Sequence, residues 1–217
     1  MNIVVLASGR GSNLRAIQKA IDEGRCAARI SGVVSDRKDA EALLFARERE
    51  IPTASVSPKS FASRADWDAA LAHQVGMLGA ELVVLAGFMR IVGEAMIARF
   101  PHRILNVHPA LLPSFPGAHG ARDALAKGVR ISGCTVHIVD AGVDTGPILA
   151  QGAVPVLPGD DEASLQARIQ KVEHRLYPAV IDAIGRGEIA LSETPTIRSQ
   201  IDADGAFLVP TFASVTR

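Results

Sequence analysis

Asn106 and His108 stand two residues apart at the end of the apolar run Ile104-Leu105-Asn106-Val107-His108. On a strand that spacing puts an amide and an imidazole on one face. Pro109 and Pro113 follow. Neither can donate to a β-ladder, so the two side chains are aimed at the place where a strand stops. A second stretch, Asp140-Ala141-Gly142-Val143-Asp144-Thr145-Gly146-Pro147, sets the Asp144 carboxylate in a glycine-flanked loop after another apolar strand. An amide donor, an imidazole and a carboxylate are the parts needed to stabilise an oxyanion and move a proton. Each has a plainer reading by itself: a structural histidine, a turn-forming asparagine, an Asx turn ahead of Thr145-Gly146-Pro147. Their occurrence together at the ends of two apolar strands is what points to chemistry.

A third stretch could hold an anion. Ile3 to Ala7 is an apolar, β-branched run, followed at once by Ser8-Gly9-Arg10-Gly11-Ser12-Asn13 and then by apolar residues at helical spacing, Leu14, Ile17, Ala20 and Ile21. Glycines in such a strand–turn–helix let the backbone approach a ligand, and the first amides of the helix face it. Leu14 stands where a dinucleotide fingerprint needs its third glycine, and the Lys-Ser/Thr ending of a triphosphate loop is missing. One phosphate is the guest this fits; the other reading is a tight turn capped by Ser12 or Asn13.

The elements that must carry these groups follow from periodicity. Strands are expected at Arg29–Ser35, Thr53–Val56, Leu82–Ala86 and at Ile104, with helices over Asp39–Glu50, from Ser63 to about Leu78, and over Glu94–Phe100. Ser63 and Asp66 resemble a capping box. Arg64 falls in that helix's first turn, where a cation opposes the dipole unless it is solvated or faces a ligand carboxylate. Gly87 ends the strongest buried strand; Phe88, Met89 and Ile91 after it could line a flat pocket, although core packing is the preferred reading. Beyond an irregular loop, a short helix Arg122–Lys127 precedes two alternating strands, Ile131–Val139 and Ile148–Val156, expected to pair antiparallel. Pro158-Gly159-Asp160-Asp161 then opens a long helix, Glu162 to Ile184, whose apolar face runs through Leu165, Ile169, Val172, Leu176, Val180 and Ile184. Glu173 lies near that face, and a partly buried carboxylate there wants a cationic or amine partner. The pattern predicts an α/β, doubly wound, mostly parallel sheet flanked by helices, with an antiparallel edge hairpin. No repeat or linker interrupts it. Residues 1–187 are expected as one catalytic domain, with 188–217 as an extension packed on it or partly loose.

Composition sets the outer bounds. The 217 residues balance 23 basic against 23 acidic side chains, which disfavours a polyanion-coating surface and hence nucleic acid as a partner. Cys26 and Cys134 have no metal-ligand spacing and read as thiols of a reducing compartment. No run reaches membrane-spanning length and the first residues lack a signal-peptide pattern, so a soluble, cytoplasmic protein is expected. No G-x-S-x-G elbow suggests a serine hydrolase.

Four stretches together carry a resemblance: Ser8-Gly9-x-Gly11-Ser12-Asn13-Leu14, Val84-Leu85-Ala86-Gly87-Phe88-Met89-Arg90, Asn106-x-His108-Pro109-x-Leu111-Leu112-Pro113, and His137 to Pro147. In order and spacing, over residues 1 to about 185, the chain resembles the folate-dependent formyltransferases, and among them the glycinamide ribonucleotide transformylases of purine biosynthesis. The resemblance implies a formyltransferase-like fold and 10-formyltetrahydrofolate as co-substrate, with no metal. It implies that Asn106, His108 and Asp144 are the catalytic trio. Gly11, Ser12, Asn13 and Leu14 would hold the ribonucleotide at its phosphate, and Gln170 and Glu173 at its glycinamide end. Arg64 would face the folate's glutamate tail, and Met89, Arg90, Ile91 and Val92 would line the pterin pocket with Asn106 and with Asp140, Ala141, Gly142, Val143 and Asp144. Relatives that formylate initiator tRNA carry an added carboxyl-terminal domain, and hydrolases of the same folate an added amino-terminal one. Neither pattern is expected here. A formyltetrahydrofolate hydrolase and a non-catalytic sensor of a phosphoribosyl ligand stay open as alternatives, and the trio argues against the sensor. The expected partners are the two small molecules, with no nucleic acid and no membrane, acting on a monomer or homodimer. His119 and the tail after Gly187 are given no role.

Overall fold

In the computed structural model, which describes residues 1–197 and 208–209, the chain divides after Asn106 into two compact units. The class is α/β: a mostly parallel sheet flanked by helices, with antiparallel strands at an edge, as the alternating periodicities predict.

The first unit runs β1 (Asn2–Leu6), α1 (Ser12–Asp22), β2 (Arg29–Ser35), α2 (Glu41–Arg47), β3 (Thr53–Ser55), α3 (Arg64–Met77), β4 (Leu82–Leu85), α4 (Glu94–Arg99) and the start of β5 (Ile104–His108). Its strands lie in the order β3-β2-β1-β4-β5, all parallel. The chain leaves β1 towards β2 on one side and later fills β4 and β5 on the other. That reversal opens a crevice at the carboxyl ends of β1 and β4, the usual ligand position in open α/β sheets. Ile3 to Ala7 and Leu82 to Ala86 are buried throughout, as strands covered on both faces must be. Helix α2 is shorter than expected, since Glu50 turns to φ 57 and Pro52 follows.

The second unit contains the end of β5, α5 (Gly120–Lys127), β6 (Ile131–Ile138), β7 (Ile148–Pro155), α6 (Glu162–Gly185), a small pair β8 (Ile189–Ala190) with β9 (Thr196–Ile197), and β10 (Leu208–Val209). β6 and β7 are antiparallel as expected, and β10 adds to β7, also antiparallel. Helix α6 packs on both strands of the hairpin. A capping box between Asp161 and Ser164 starts it, and Arg168 grips Asp160 with two hydrogen bonds of 2.7 and 2.9 Å. Its buried stripe is Leu165, Ile169, Glu173, Leu176 and Val180, so Glu173 and not Val172 occupies the centre of that face. Cys26 and Cys134 are free and buried. Among the described residues no helix is long and apolar enough to cross a membrane. The rest of the expected tail, 198–207 and 210–217, lies outside the described residues.

Candidate active site

At the end of β5, Asn106 is half-buried and His108 is 3% exposed. They share one strand at i and i+2, so the strand itself sets their common face. The β-turn chain after Pro109 is pinned by Thr135. Its hydroxyl donates to the Ala110 carbonyl (2.7 Å) and accepts from the Leu112 amide (3.0 Å). Two residues past Pro113, Phe115 adopts φ 55 and turns its carbonyl oxygen to 2.8 Å from His108 Nε2.

Asp144 reaches the same imidazole from the loop between β6 and β7. Asp140 closes that loop: its Oδ1 accepts from the Gly142 amide (3.1 Å) and from the Thr145 hydroxyl (2.7 Å). Asp144 itself sits at φ 56, a left-handed conformation that aspartate tolerates better than most residues. Its Oδ2 accepts from the Gly117 amide (2.8 Å) and lies 3.4 Å from His108 Nδ1. Both ring nitrogens of His108 therefore face oxygen acceptors, and only the ring carrying both hydrogens can donate to both.

A second imidazole stands on the other side of the carboxylate. His137 Nε2 lies 3.6 Å from Asp144 Oδ1, while its Nδ1 donates to the Ile138 carbonyl at 3.0 Å. Burial pushes this ring below the ordinary imidazole range, against the opposing pull of the Ile138 carbonyl and Asp144. The sequence reading assigned His137 no role. Its signal was the same as that of His108, an imidazole at the end of an alternating strand. Phe115 and Gly117 could not have been found from sequence, because they act through backbone groups.

In the first unit, Gly11 is the cap residue of α1, at φ 71. A Cβ on Gly11 would come within 2.9 Å of Ala42 Cβ, and the Ala42 amide donates to the Gly9 carbonyl (3.1 Å). The loop is thus closely packed on the start of α2, with the positive end of the α1 dipole behind it. Asn13 and Leu14 are buried.

The loop after β4 lies beside it. The Ser8 amide donates to Gly87 O (3.1 Å), and Ser8 Oγ accepts from the Met89 amide (2.9 Å). Arg64 donates to the Ile91 carbonyl and stacks over Trp67, 5.7 Å from its ring. Arg90 Nε donates to Asp36 Oδ2 at 2.9 Å. The core reading holds for Phe88, which is buried, and fails for Met89 and Ile91, which are 75% and 57% exposed; Val92 is buried too.

In the second unit Glu173 is 4% exposed on α6, and its charge, after burial, helps hold the Cys134 thiol well above its usual range. Gln170 lies one turn earlier, half-buried.

Residues 1–181 match the family described as formyl transferase. The chain belongs to the formyl transferase family. It is 47% identical over 200 residues to a phosphoribosylglycinamide formyltransferase of Mycobacterium tuberculosis, covering 92% of this chain and 92% of that protein. It is 42% identical over 193 residues to a protein of that name from Escherichia coli, covering 89% and 91%. Among solved structures, glycinamide ribonucleotide transformylase 1 from Symbiobacterium toebii superposes with a TM-score of 0.88 at 46% identity, over 91% of this chain and 93% of that one. The Asn106–His108 strand end and the Asp144 loop combine an amide donor, an imidazole and a carboxylate, groups that can stabilise an oxyanion and move a proton.

Proposed function

We propose that this formyl transferase moves the formyl group of 10-formyltetrahydrofolate to the amine of 5'-phosphoribosylglycinamide, giving the N-formyl ribonucleotide and tetrahydrofolate in purine biosynthesis. The observation that carries the reading is the His108–Asp144 pair, 3.4 Å apart, two residues along one strand from Asn106.

The neutral amine attacks the formyl carbon, and a C–N bond forms as the carbonyl oxygen takes up negative charge. Asn106 donates one hydrogen bond to that oxygen. His108, whose two ring nitrogens each face an oxygen, gives a second one from Nε2. To do so, Nε2 trades the Phe115 carbonyl for the formyl oxygen. Asp144, 3.4 Å from Nδ1, orients the ring. The intermediate then breaks its bond to folate N10, and the proton lost by the amine reaches N10 through water and His108. The leaving nitrogen is weakly basic and the acyl carbon already activated, so the step requires no Lewis acid. Each oxyanion donor lowers the barrier by roughly 3 kcal/mol.

For binding, the α1 amino terminus with Gly11, Ser12, Asn13 and Leu14 takes the ribonucleotide phosphate. Gln170 and Glu173 take its glycinamide end. Arg64 pairs with the folate's glutamate tail. Met89 to Val92 offer apolar atoms and backbone groups to the pterin, as do Asp140 to Asp144. The test follows loss of 10-formyltetrahydrofolate by absorbance, with and without the ribonucleotide. Strict dependence on the ribonucleotide supports transfer. Equal rates without it would mean a hydrolase, and no reaction at all a sensor.

A further inference from the structure

The loop from Gly87 to Gly93 is staked along its length. Its first residue is tied to the turn after β1 by the Ser8 amide, and its middle by Ser8 Oγ and Arg64. Its last residue is tied by a group the function does not use. Asp68, on α3 and 3% exposed, accepts from the Gly93 amide at 2.6 Å through Oδ1 and from the Ala95 amide at 2.8 Å through Oδ2. The Met96 amide adds a longer bond of 3.3 Å to Oδ2. A buried carboxylate inserted sideways from another helix is an unusual way to begin α4, a helix of six residues whose own cap residue, Gly93, carries no side chain. The approach is close: a Cβ on Gly93 would stand 2.7 Å from the Asp68 carboxyl carbon.

Between these anchors the loop does something costly. It buries Phe88 and Val92 while leaving Met89 and Ile91 largely in water. Phe88 stacks on Trp67, one residue before Asp68, at a centroid distance of 6.5 Å. A backbone fixed at both ends, with apolar atoms held outward, is a preorganised shelf for a flat ring, and binding to it forfeits little loop entropy.

We infer that Asp68 is a positioning residue for formyl-folate: by locking Gly93 it fixes the shelf on which the pterin lies, and so sets folate affinity without touching either substrate. This rests on the folate reading above. The chemistry of the bonds predicts the direction. In Asp68→Asn one carboxylate oxygen becomes an NH2 group, which cannot accept; with the remaining oxygen kept on Ala95 and Met96, the Gly93 amide loses its acceptor.

The test is titration of wild type and Asp68→Asn with 10-formyltetrahydrofolate, read by quenching of Trp67, the single tryptophan of the chain, together with steady-state kinetics. The expected result is a Kd and a KM for the folate raised about tenfold, with kcat and the ribonucleotide KM within about twofold of wild type. An unchanged folate KM, or a parallel change in kcat and both KM values, would overturn it, since a purely structural cap predicts one or the other. Gly93→Ala pushes on the same contact from the loop side, at φ −102 where alanine is unstrained, and should show the same split with Asp68 intact. Should Asp68→Asn not fold, Gly93→Ala decides alone, a wild-type folate KM counting against the inference. Failure of the wild type itself to bind the folate would instead remove the proposed function.

Discussion

The imidazole of His108 is closed in by oxygen atoms facing both of its nitrogens. In the proposed mechanism, replacing it with alanine removes one hydrogen bond to the oxyanion, and Asn106→Ala removes the other. Each is expected to lower kcat at least a hundredfold while folate binding, followed by Trp67 quenching, stays within about threefold. Ordinary turnover in His108→Ala would count decisively against the assignment. The identities of these two residues and their shared face were readable from Asn106-Val107-His108, because a strand's period of two follows from covalent geometry. The approach of Asp144 was not readable, since it depends on a left-handed residue in a loop 36 positions on whose path no local rule dictates. The second imidazole, His137, was passed over for the same reason: nothing local says which carboxylate a strand-end histidine will meet.

At the scale of elements, two loops depend on particular residues for their shape. The loop after β6 is closed by the bond from Thr145 to Asp140, which turns Asp144 towards His108. A hydrogen bond of this kind contributes about 1 kcal/mol net, so Thr145→Val should lower kcat roughly fivefold, and Thr145→Ser should restore it. Steady-state assays of the pair check this; equal rates for valine and serine would exclude the clamp. The turn before α1 needs glycine at 11 for two separate reasons, φ 71 and the 2.9 Å approach to Ala42. Gly11→Ala should therefore raise the ribonucleotide KM at least tenfold, with the folate KM changed far less, as competition kinetics would show. Most strands and helices were legible from periodicity, with α2 the main exception, Glu41–Arg47 where 39–50 was expected. Errors fell where burial overrode pattern. Val172 looked like the centre of the α6 stripe, but Glu173 is, because a buried carboxylate is invisible to a rule that counts apolar residues. Met89 and Ile91 looked like core, but Arg64 and Asp68 hold their loop outward.

For the molecule as a whole, acid sensitivity should begin with histidines. Burial holds both His137 and His174 below the ordinary imidazole value of 6.5, and His174 Nε2 is buried without a hydrogen-bond partner among the described residues. Below about 6.5 the unfolded chain binds protons that the folded rings refuse, so the unfolded state is favoured as pH falls through that range. The carboxylates Asp160 and Asp161, held below their usual range by Arg168 and by the Ser164 amide respectively, act lower, losing their stabilisation only as pH drops below about 4. Tm should decline between pH 7.5 and 5.5, and His174→Gln should flatten the decline. Identical slopes by scanning calorimetry would assign the effect elsewhere.

Sequence by itself determined the α/β class, the parallel strands and the antiparallel hairpin, because hydrophobic period and glycine-bounded turns are local properties written in consecutive residues, while the family was read from the resemblance of four motifs. Tertiary structure alone decided which acceptors surround His108, which loop is held open in water, and which carboxylate is buried on α6. Those outcomes depend on side chains distant in sequence reaching one another, and no consecutive pattern encodes a distance across the fold.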